Sequence, residues 1–312
     1  MSSRNVLVSC IHLQRRLDDF RAEFEAAGYH VEAPEVRQQL EEAWLLEHIG
    51  RFDGMIAGDD PLSRDVLAAG VAGNLRAVVK WGIGVDAIDL DAAAELGVPV
   101  ENTPGMFADE VADVAIGYVI MLARELHAIH QSVVDGGWYK PVGMTLRGRT
   151  LGLIGLGSIG SAIGDRARAL GMEVVGYDPF AEPGSRPGVR VAPLEDVLAS
   201  ADVLALACSL NEDNHHLIDE AAIASMKAGS YLVNVARGPL VDESALVPAL
   251  ASGHIAAAAL DVFEEEPLAK DHPLRTFEHC IFGSHNGSNT REAVDRVNRL
   301  SVDRLLALLA SA

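Results

Sequence analysis

Cysteine is scarce: Cys10, Cys208 and Cys280 are the three thiols in 312 residues. Each lies in an apolar context, with no CxxC pair and no histidine at metal-ligand spacing, so neither a disulfide framework nor a thiolate metal site is expected. Reduced, buried thiols in a reducing compartment are the simpler reading. Long apolar runs are missing as well. The longest, AIGYVIMLA at 115–123, is too short to cross a bilayer. The opening MSSRNVLVSC has neither the apolar core nor the small-residue cleavage site of a signal peptide, and a cytoplasmic protein is the expectation. Positive charge is in the minority: 25 Lys and Arg against 45 Asp and Glu give a net charge of −20, spread over short clusters with no acidic tail. That surface favours solubility and argues against nucleic acid or an anionic membrane as partner. Lysine supplies 4 of the basic residues against 21 arginines, to which no functional meaning is attached. No repeat of fixed period occurs, and low complexity is confined to the Pro/Gly loop FAEPGSRPG at 180–188.

What is present is a core-forming composition, 49% hydrophobic, in a chain long enough for about two domains of ~150 residues each. Short β-branched runs alternate with Ala/Leu-rich helical stretches: VLVSC, LDDFRAEFEAAG, YHVE, QLEEAWLLEHI, GMIAG and LRAVVKWG, then TLGLIG, EVVGYD, DVLALA, SYLVNVA and IAAAALDV. Alternation of this kind predicts parallel βαβ units and two parallel sheets. The stretch from Asn102 to about Arg149 differs. It opens on Pro-Gly and continues as one long helix, with Val111, Val114, Ala115, Tyr118 and Met121 on a single face, read as a bridge between domains. The last helix carries apolar residues at Val294, Val297, Leu300, Leu305 and Leu308 and is expected to return to the first domain.

The stretch TLGLIGLGSIG at 150–160 reads as a buried strand running into a glycine turn. A lone GxGxxG is weak, but here a helix follows (SAIGDRARALG), then a second strand ending in Asp178, 18 positions after Gly160. That spacing is close to the roughly 20 expected for a dinucleotide site. Gly155 permits the turn, Gly157 lets a pyrophosphate approach the backbone, and Gly160 allows helix and strand to pack, leaving N–H groups aimed at an anion. Asp178 would accept both adenosine ribose hydroxyls and repel a 2′-phosphate, favouring NAD over NADP. Arg186 and Arg190 lie further along and soften that preference. A structural βα turn without ligand is the alternative.

Three polar positions follow later strands. Arg237 stands directly after YLVNVA, with Gly238 and Pro239 fixing its backbone path, and a guanidinium suits two-pronged carboxylate binding. Glu266 ends DVFEEEP, and His285 lies in GSHNGSNT among small residues. Alone, each has a bland reading as a surface group, as does the His215–His216 pair in NEDNHH. Together with the glycine turn, and in this order, they outweigh those bland readings.

With these pieces the chain resembles the D-isomer-specific 2-hydroxyacid dehydrogenases, the group containing D-3-phosphoglycerate dehydrogenase and glyoxylate reductase. The resemblance covers nearly the whole length, through KWGIGVDAIDLDAAAELGVPVENTPG (80–105), GGWYKPVGMTLRGRTLGLIGLGSIG (136–160), NVARGPLVDESALVPAL (234–250), ALDVFEEEP (259–267) and the His285 loop. It implies an α/β fold of two doubly wound parallel-sheet domains. A Rossmann NAD-binding domain, 102–285, is inserted in a flavodoxin-like substrate domain made of 1–101 and a returning helix at 286–312. It implies Arg237, Glu266 and His285 as the catalytic set. Gly155, Gly157, Ser158, Ile159, Gly160, Asp178, Cys208, Ala236 and Asp261 are implied as cofactor contacts, Asp261 at the nicotinamide carboxamide. Trp81, Gly82, Ile83, Gly84, Arg237 and Asn286 are implied for the substrate, with backbone amides of 82–84 on its carboxylate. NAD as cofactor, a small 2-oxoacid or 2-hydroxyacid as substrate, no metal or flavin, and a homodimer formed through the cofactor domain complete the expectation.

The sequence departs from that family in two places. Ser284 and Asn286 flank the histidine where proline and an aliphatic residue are common, and Asn286 either tunes specificity or caps the following turn. Phosphoglycerate dehydrogenases of this kind place arginines after the strand corresponding to GMIAG, where this chain has Gly58, Asp59 and Asp60. A phosphorylated substrate is therefore disfavoured unless Arg15, Arg16 or Lys80 compensates, and Ser9, Cys10 and His12 are added as candidate specificity residues. Two other functions stay open. One is a nucleotide-sensing protein akin to corepressors of this fold; the other is a specialised reductase of a phosphonate or sugar-derived oxoacid.

Overall fold

The structure, a computed structural model, describes residues 4–311. The first three residues of the N-terminal stretch read above for a leader lie outside the described residues. Two compact units are present: one is the chain up to Met106 together with the chain from Thr290 on, and the other is Phe107–Asn289. The units part a few residues later than 101/102 and 285/286. Thr103 stays with the first because its hydroxyl and amide both bond to Gly82. Gly287 stays with the second because its amide bonds to the Asp261 carboxylate.

The first unit is built on strands β1 (Arg4–Val8), β2 (Tyr29–Glu32), β3 (Gly54–Ala57), β4 (Ala77–Lys80) and β5 (Val100–Glu101). They form an all-parallel sheet in the order β2-β1-β3-β4-β5, the flavodoxin-like order. The second unit contains β6 (Thr150–Ile154), β7 (Glu173–Tyr177), β8 (Arg190–Val191), β9 (Val203–Leu206), β10 (Ser230–Asn234), β11 (Ile255–Leu260) and β12 (Ile281–Phe282). Its order, β12-β11-β10-β9-β6-β7-β8, is all parallel and of the Rossmann kind, reversing direction between β6 and β9. Both sheets expected from the alternation are present. Strands β3, β4 and β9 are buried along their whole length, as sheets covered by helices on both faces require. The sequence reading omitted β5, β8 and β12. All three are two-residue edge strands, too short to carry a periodicity.

Helical details differ from expectation at two places. The long helix is Ala108–Arg124, and it stops at Glu125, whose backbone is left-handed (φ 51°), before a separate helix Leu126–Val134 in which no residue is fully buried. The first of these belongs wholly to the second unit, packing on the helix Ser158–Ala169 and on β10 and β11. Its buried stripe is Val111, Ala112, Ala115, Ile116, Val119, Leu122 and Ala123, whereas Val114, Tyr118 and Met121 are half-buried at its margin.

The C-terminal helix Arg291–Ser311 packs on β3, β4 and the short helix Ile11–Gln14 of the first unit. Its buried face is Ala293, Val297, Asn298, Ser301, Val302, Leu305 and Leu309, while Val294, Leu300 and Leu308 are half-buried. Hydrophobicity alone misplaced this stripe because two of its members are polar. Asn298 is one of them: its Oδ1 accepts the buried Trp81 indole N–H at 2.7 Å. The helix fits closely because β3 offers Gly54 beneath it, where a Cβ would stand 2.9 Å from Leu305 and 3.0 Å from Leu309. Leu309→Ala is expected to cost about 2–5 kcal/mol in urea unfolding and Leu308→Ala less than half as much. A larger loss at Leu308 would contradict the assigned face.

Candidate active site

In the second unit, parallel strands bring the sequence-predicted residues to one edge. Gly155 follows β6, Asp178 follows β7, Cys208 lies just past β9, Arg237 follows β10, Asp261 follows β11, and His285 lies just past β12. Ligands of open α/β sheets sit at this carboxyl edge, beside the switch in strand order.

The glycine turn has the contacts its residue types demand. Gly155 has φ +93° and lies so close to the β9 exit that a Cβ would fall 2.5 Å from the Cys208 nitrogen. A Cβ on Gly160 would stand 2.0 Å from the Gly155 carbonyl oxygen, so only glycine lets this helix approach its strand. Gly157 is different: nothing lies within 4 Å of its Cβ position, and it is exposed at the N-terminus of Ser158–Ala169 with no side-chain cap. Open space before uncapped amides is what a pyrophosphate needs, so these residues fit a dinucleotide. Ser158 is exposed and Ile159 half-buried on the same first turn.

Asp178 is half-buried, with Oδ2 accepting the Leu156 amide at 2.8 Å and Oδ1 the Phe180 amide at 2.9 Å. A carboxylate has about four acceptor sites, so two bonds fix its orientation and leave capacity for hydroxyls. Arg186 and Arg190 are exposed. The half-buried Cys208 thiol is pushed up to about 11 by burial, which makes it a neutral neighbour of the turn.

His285 and Glu266, 19 residues apart in sequence, are joined directly: His285 Nδ1 lies 2.8 Å from Glu266 Oε2. Glu266 is held in turn by the Phe263 amide on Oε1 at 3.0 Å. The pair is partly exposed, at 29% and 22% of the side chains, and a bond at Nδ1 turns Nε2 away from the carboxylate. His285 has φ +54°, and its amide bonds to the Asp261 carbonyl at 2.7 Å.

Arg237 is half-buried, its Nη1 donating to the Ala236 carbonyl at 2.7 Å. Asn234 at the end of β10 tightens this turn, accepting the Ala236 amide and donating to the Arg237 carbonyl. The loop then presses against the segment leading to Glu266: a Cβ on Gly238 would stand 1.8 Å from the Phe263 carbonyl carbon. Gly238 therefore ties the arginine loop to the acid loop. Asn234 was missed in the sequence because it ends an apolar run, and nothing local marks its amide as a turn brace.

Asp261 is buried, and each carboxylate oxygen already has a partner. Tyr118 donates to Oδ1 at 3.1 Å and the Gly287 amide to Oδ2 at 2.8 Å. Asn286 is exposed, and its side-chain oxygen accepts from Asn289 Nδ2 at 2.7 Å, so in this structure it closes the turn after the histidine. A further group, His216, Asp242 and Glu264, has ligating atoms within 4.8 Å of one another. Both carboxylates there serve backbone amides, Asp242 capping the helix Glu243–Ser252 and Glu264 accepting from Glu243 N.

In the first unit, the segment after β4 carries the residues expected for substrate. Trp81 is buried with its indole N–H on Asn298 and its ring stacked on His12 at 4.9 Å. Burial, reinforced by Arg15, holds His12 below the usual imidazole range. The Gly82 amide is occupied by Thr103 Oγ1 at 3.0 Å, whereas those of Ile83 and Gly84 make no hydrogen bond among the described residues. Lys80 is buried, with Nζ on Asp59 at 2.9 Å and on the Trp81 carbonyl at 3.0 Å. Asp60 is also buried, accepting from Ser9, the Leu40 amide and the Gly58 amide. It ties strand ends together and does not present a charge to solvent. Cys10 is buried too, its thiol pushed up to about 12 by burial. Arg16 is exposed and paired with Asp19 and Asp295.

Comparison with known proteins agrees with this geometry. Residues 116–287 match the family described as D-isomer specific 2-hydroxyacid dehydrogenase, NAD binding domain. The chain is 36% identical over 275 residues to the glyoxylate reductase of Thermofilum pendens, covering 85% of this chain and 80% of that one. It is 35% identical over 289 residues to the hydroxypyruvate reductase of Thermotoga maritima, covering 91% of each. The crystal structure of a glyoxylate reductase from Paecilomyes thermophila superposes with a TM-score of 0.86 at 28% identity, covering 99% of this chain and 96% of that one. Strand order, glycine turn and sequence agree, and the chain belongs to the D-isomer-specific 2-hydroxyacid dehydrogenases, NAD-dependent oxidoreductases acting on the CH–OH group of 2-hydroxyacids.

Proposed function

We propose that this enzyme reduces a small, unphosphorylated 2-oxoacid of the glyoxylate or hydroxypyruvate kind, with His285 as proton donor. The reading is carried by the 2.8 Å contact between His285 Nδ1 and Glu266. NADH, when bound, supplies the hydride that reaches the carbonyl carbon. As the C=O electron pair moves onto oxygen, His285 gives that oxygen its proton, and Glu266 holds the ring and favours its charged form. Arg237 offsets the growing charge on oxygen and orients the carboxylate. The amides of Ile83 and Gly84 are assigned to the substrate carboxylate, since the Gly82 amide already serves Thr103. Gly155, Gly157 and Gly160 with Ser158 and Ile159 are assigned to the pyrophosphate, and Asp178 to the adenosine ribose. Cys208, Ala236 and Asp261 are assigned to the remainder of the cofactor.

Two observations support an unphosphorylated substrate. The Lys80 ammonium is already neutralised by Asp59, and Arg16 by Asp19 and Asp295, so neither supplies an uncompensated charge for phosphate. The relatives matched over most of their own length include a glyoxylate reductase and a hydroxypyruvate reductase, whereas the D-3-phosphoglycerate dehydrogenase of Methanocaldococcus jannaschii, 38% identical, is covered over 53% of its length. No described helix is long and apolar enough to cross a membrane, and the three cysteines are free, in keeping with a cytoplasmic enzyme.

A homodimer is part of the proposal. The stretch after Glu125 exposes Leu126, Val133, Val134, Trp138, Tyr139 and Val142, the last at 99%. Apolar surface so concentrated in one segment marks an interaction face, and a second copy of this chain is the occupant proposed.

Three outcomes check these assignments. In a spectrophotometric panel of 2-oxoacids, turnover with NADH is expected for glyoxylate or hydroxypyruvate and to exceed that for 3-phosphohydroxypyruvate; His285→Ala should lower it by about 10²- to 10⁴-fold with NADH binding nearly intact. Asp178→Ser should raise the KM for NADH about tenfold or more while helping NADPH, since the ribose acceptor is lost and the repulsion removed. Val134→Asp should shift sedimentation equilibrium towards the monomer; an unchanged oligomer would remove that face from the interface.

A further inference from the structure

His285 is held from both sides by one residue. The Asp261 carbonyl takes its amide at 2.7 Å, and Asp261 Oδ2 takes the Gly287 amide at 2.8 Å. Such restraint is needed, because a non-glycine residue at φ +54° is in a strained backbone region that persists only when its surroundings impose it. The aim of the imidazole therefore depends on how firmly the Asp261 carboxylate is itself held.

That carboxylate is 3% exposed, and Tyr118 donates to its second oxygen at 3.1 Å. Tyr118 lies on the helix Ala108–Arg124, which packs on β10 and β11, so the hydroxyl is placed by a long packed element and not by a loop. Burial, with the adjacent Asp261 charge, pushes the phenol well above its usual range and keeps it a proton donor. The room for it comes from the residue at 283. A Cβ on Gly283 would stand 2.0 Å from Asp261 Oδ1 and 2.5 Å from the Tyr118 oxygen. Any larger residue would displace one or both groups. Glycine at 283 and tyrosine at 118 thus form a matched pair around the carboxylate.

We propose that Tyr118 is a positioning residue: its hydroxyl locks the Asp261 carboxylate that holds the His285 loop, and Gly283 is glycine to admit it. The inference rests on the reading of His285 as proton donor and adds a device that residue requires. Without the phenol, one oxygen of a buried carboxylate loses its donor, the carboxylate turns, and the Gly287 bond slackens. Displacement of a catalytic group by about 1 Å costs on the order of 10²-fold in rate.

The test is Tyr118→Phe, which removes one oxygen and leaves the packed ring. Its kcat is expected to fall about 10- to 100-fold, with the KM for the oxoacid within about twofold of wild type. In enzyme labelled with ¹⁵N-histidine, the resonance of the His285 Nδ1 proton bonded to Glu266 should shift or broaden, a signature that a merely structural role would leave in place. Gly283→Ala, which crowds the same oxygens without touching Tyr118, should give the same loss of kcat. Unchanged kcat or unchanged imidazole resonances in Tyr118→Phe would overturn the proposal, as would a parallel loss of the thermal transition. His285→Ala measured alongside separates the two ideas. If that variant keeps turnover, the proton-donor reading fails and the positioning role with it; if it is inactive beside a fully active Tyr118→Phe, the positioning role alone is removed.

Discussion

Every strand of the Phe107–Asn289 unit runs the same way, and most of the site's order follows from that constraint. In a parallel sheet all carboxyl ends share one edge, so residues that each follow a strand are gathered there whatever their distance in sequence. The glycine turn, Asp178, Arg237, Asp261 and His285 are positioned by five strand exits and not by one local motif. Backbone pairing of buried strands gives this arrangement its rigidity, and the loops need hold their side chains only over a few residues.

Those loops are fixed mainly by close backbone contact. Gly160 against Gly155, Gly238 against Phe263 and Gly283 against Asp261 are three places where a single methyl group would collide with backbone or with a buried carboxylate. The last two join segments distant in sequence, and all three lie beside candidate site residues. Polar side chains complete the bracing: Asn234 within the arginine turn, the Phe263 amide on Glu266, and Asp261 across the histidine turn. A site built from such short contacts meets the requirement that reacting groups be oriented before substrate arrives.

In the other unit, charge is neutralised locally. Lys80 is paired with Asp59, and Asp60 is satisfied by Ser9 and two amides, so a stretch that reads in sequence as exposed carboxylates is largely an internal network. The consequence is that the buried Lys80 ammonium already has a carboxylate partner. The same network fixes the end of β4, from which Trp81 reaches Asn298 and the amides of Ile83 and Gly84 follow.

The sequence by itself determined the two parallel sheets and the glycine turn followed by Asp178, and it singled out Arg237, Glu266 and His285 as candidates, because these signals are local: strand alternation, turn chemistry and residue order. Folding decided what depends on distant neighbours. Edge strands of two residues exist only because a longer strand pairs with them, as β12 does with β11. The buried stripe of the last helix includes Asn298 because Trp81, 217 residues away, needs an acceptor. The Gly82 amide was paired with Thr103, Asn286 was drawn into a turn by Asn289, and Asp60 was buried. Composition marks such groups as available, but hydrogen-bond partners brought in by the fold decide which donors and acceptors remain for chemistry.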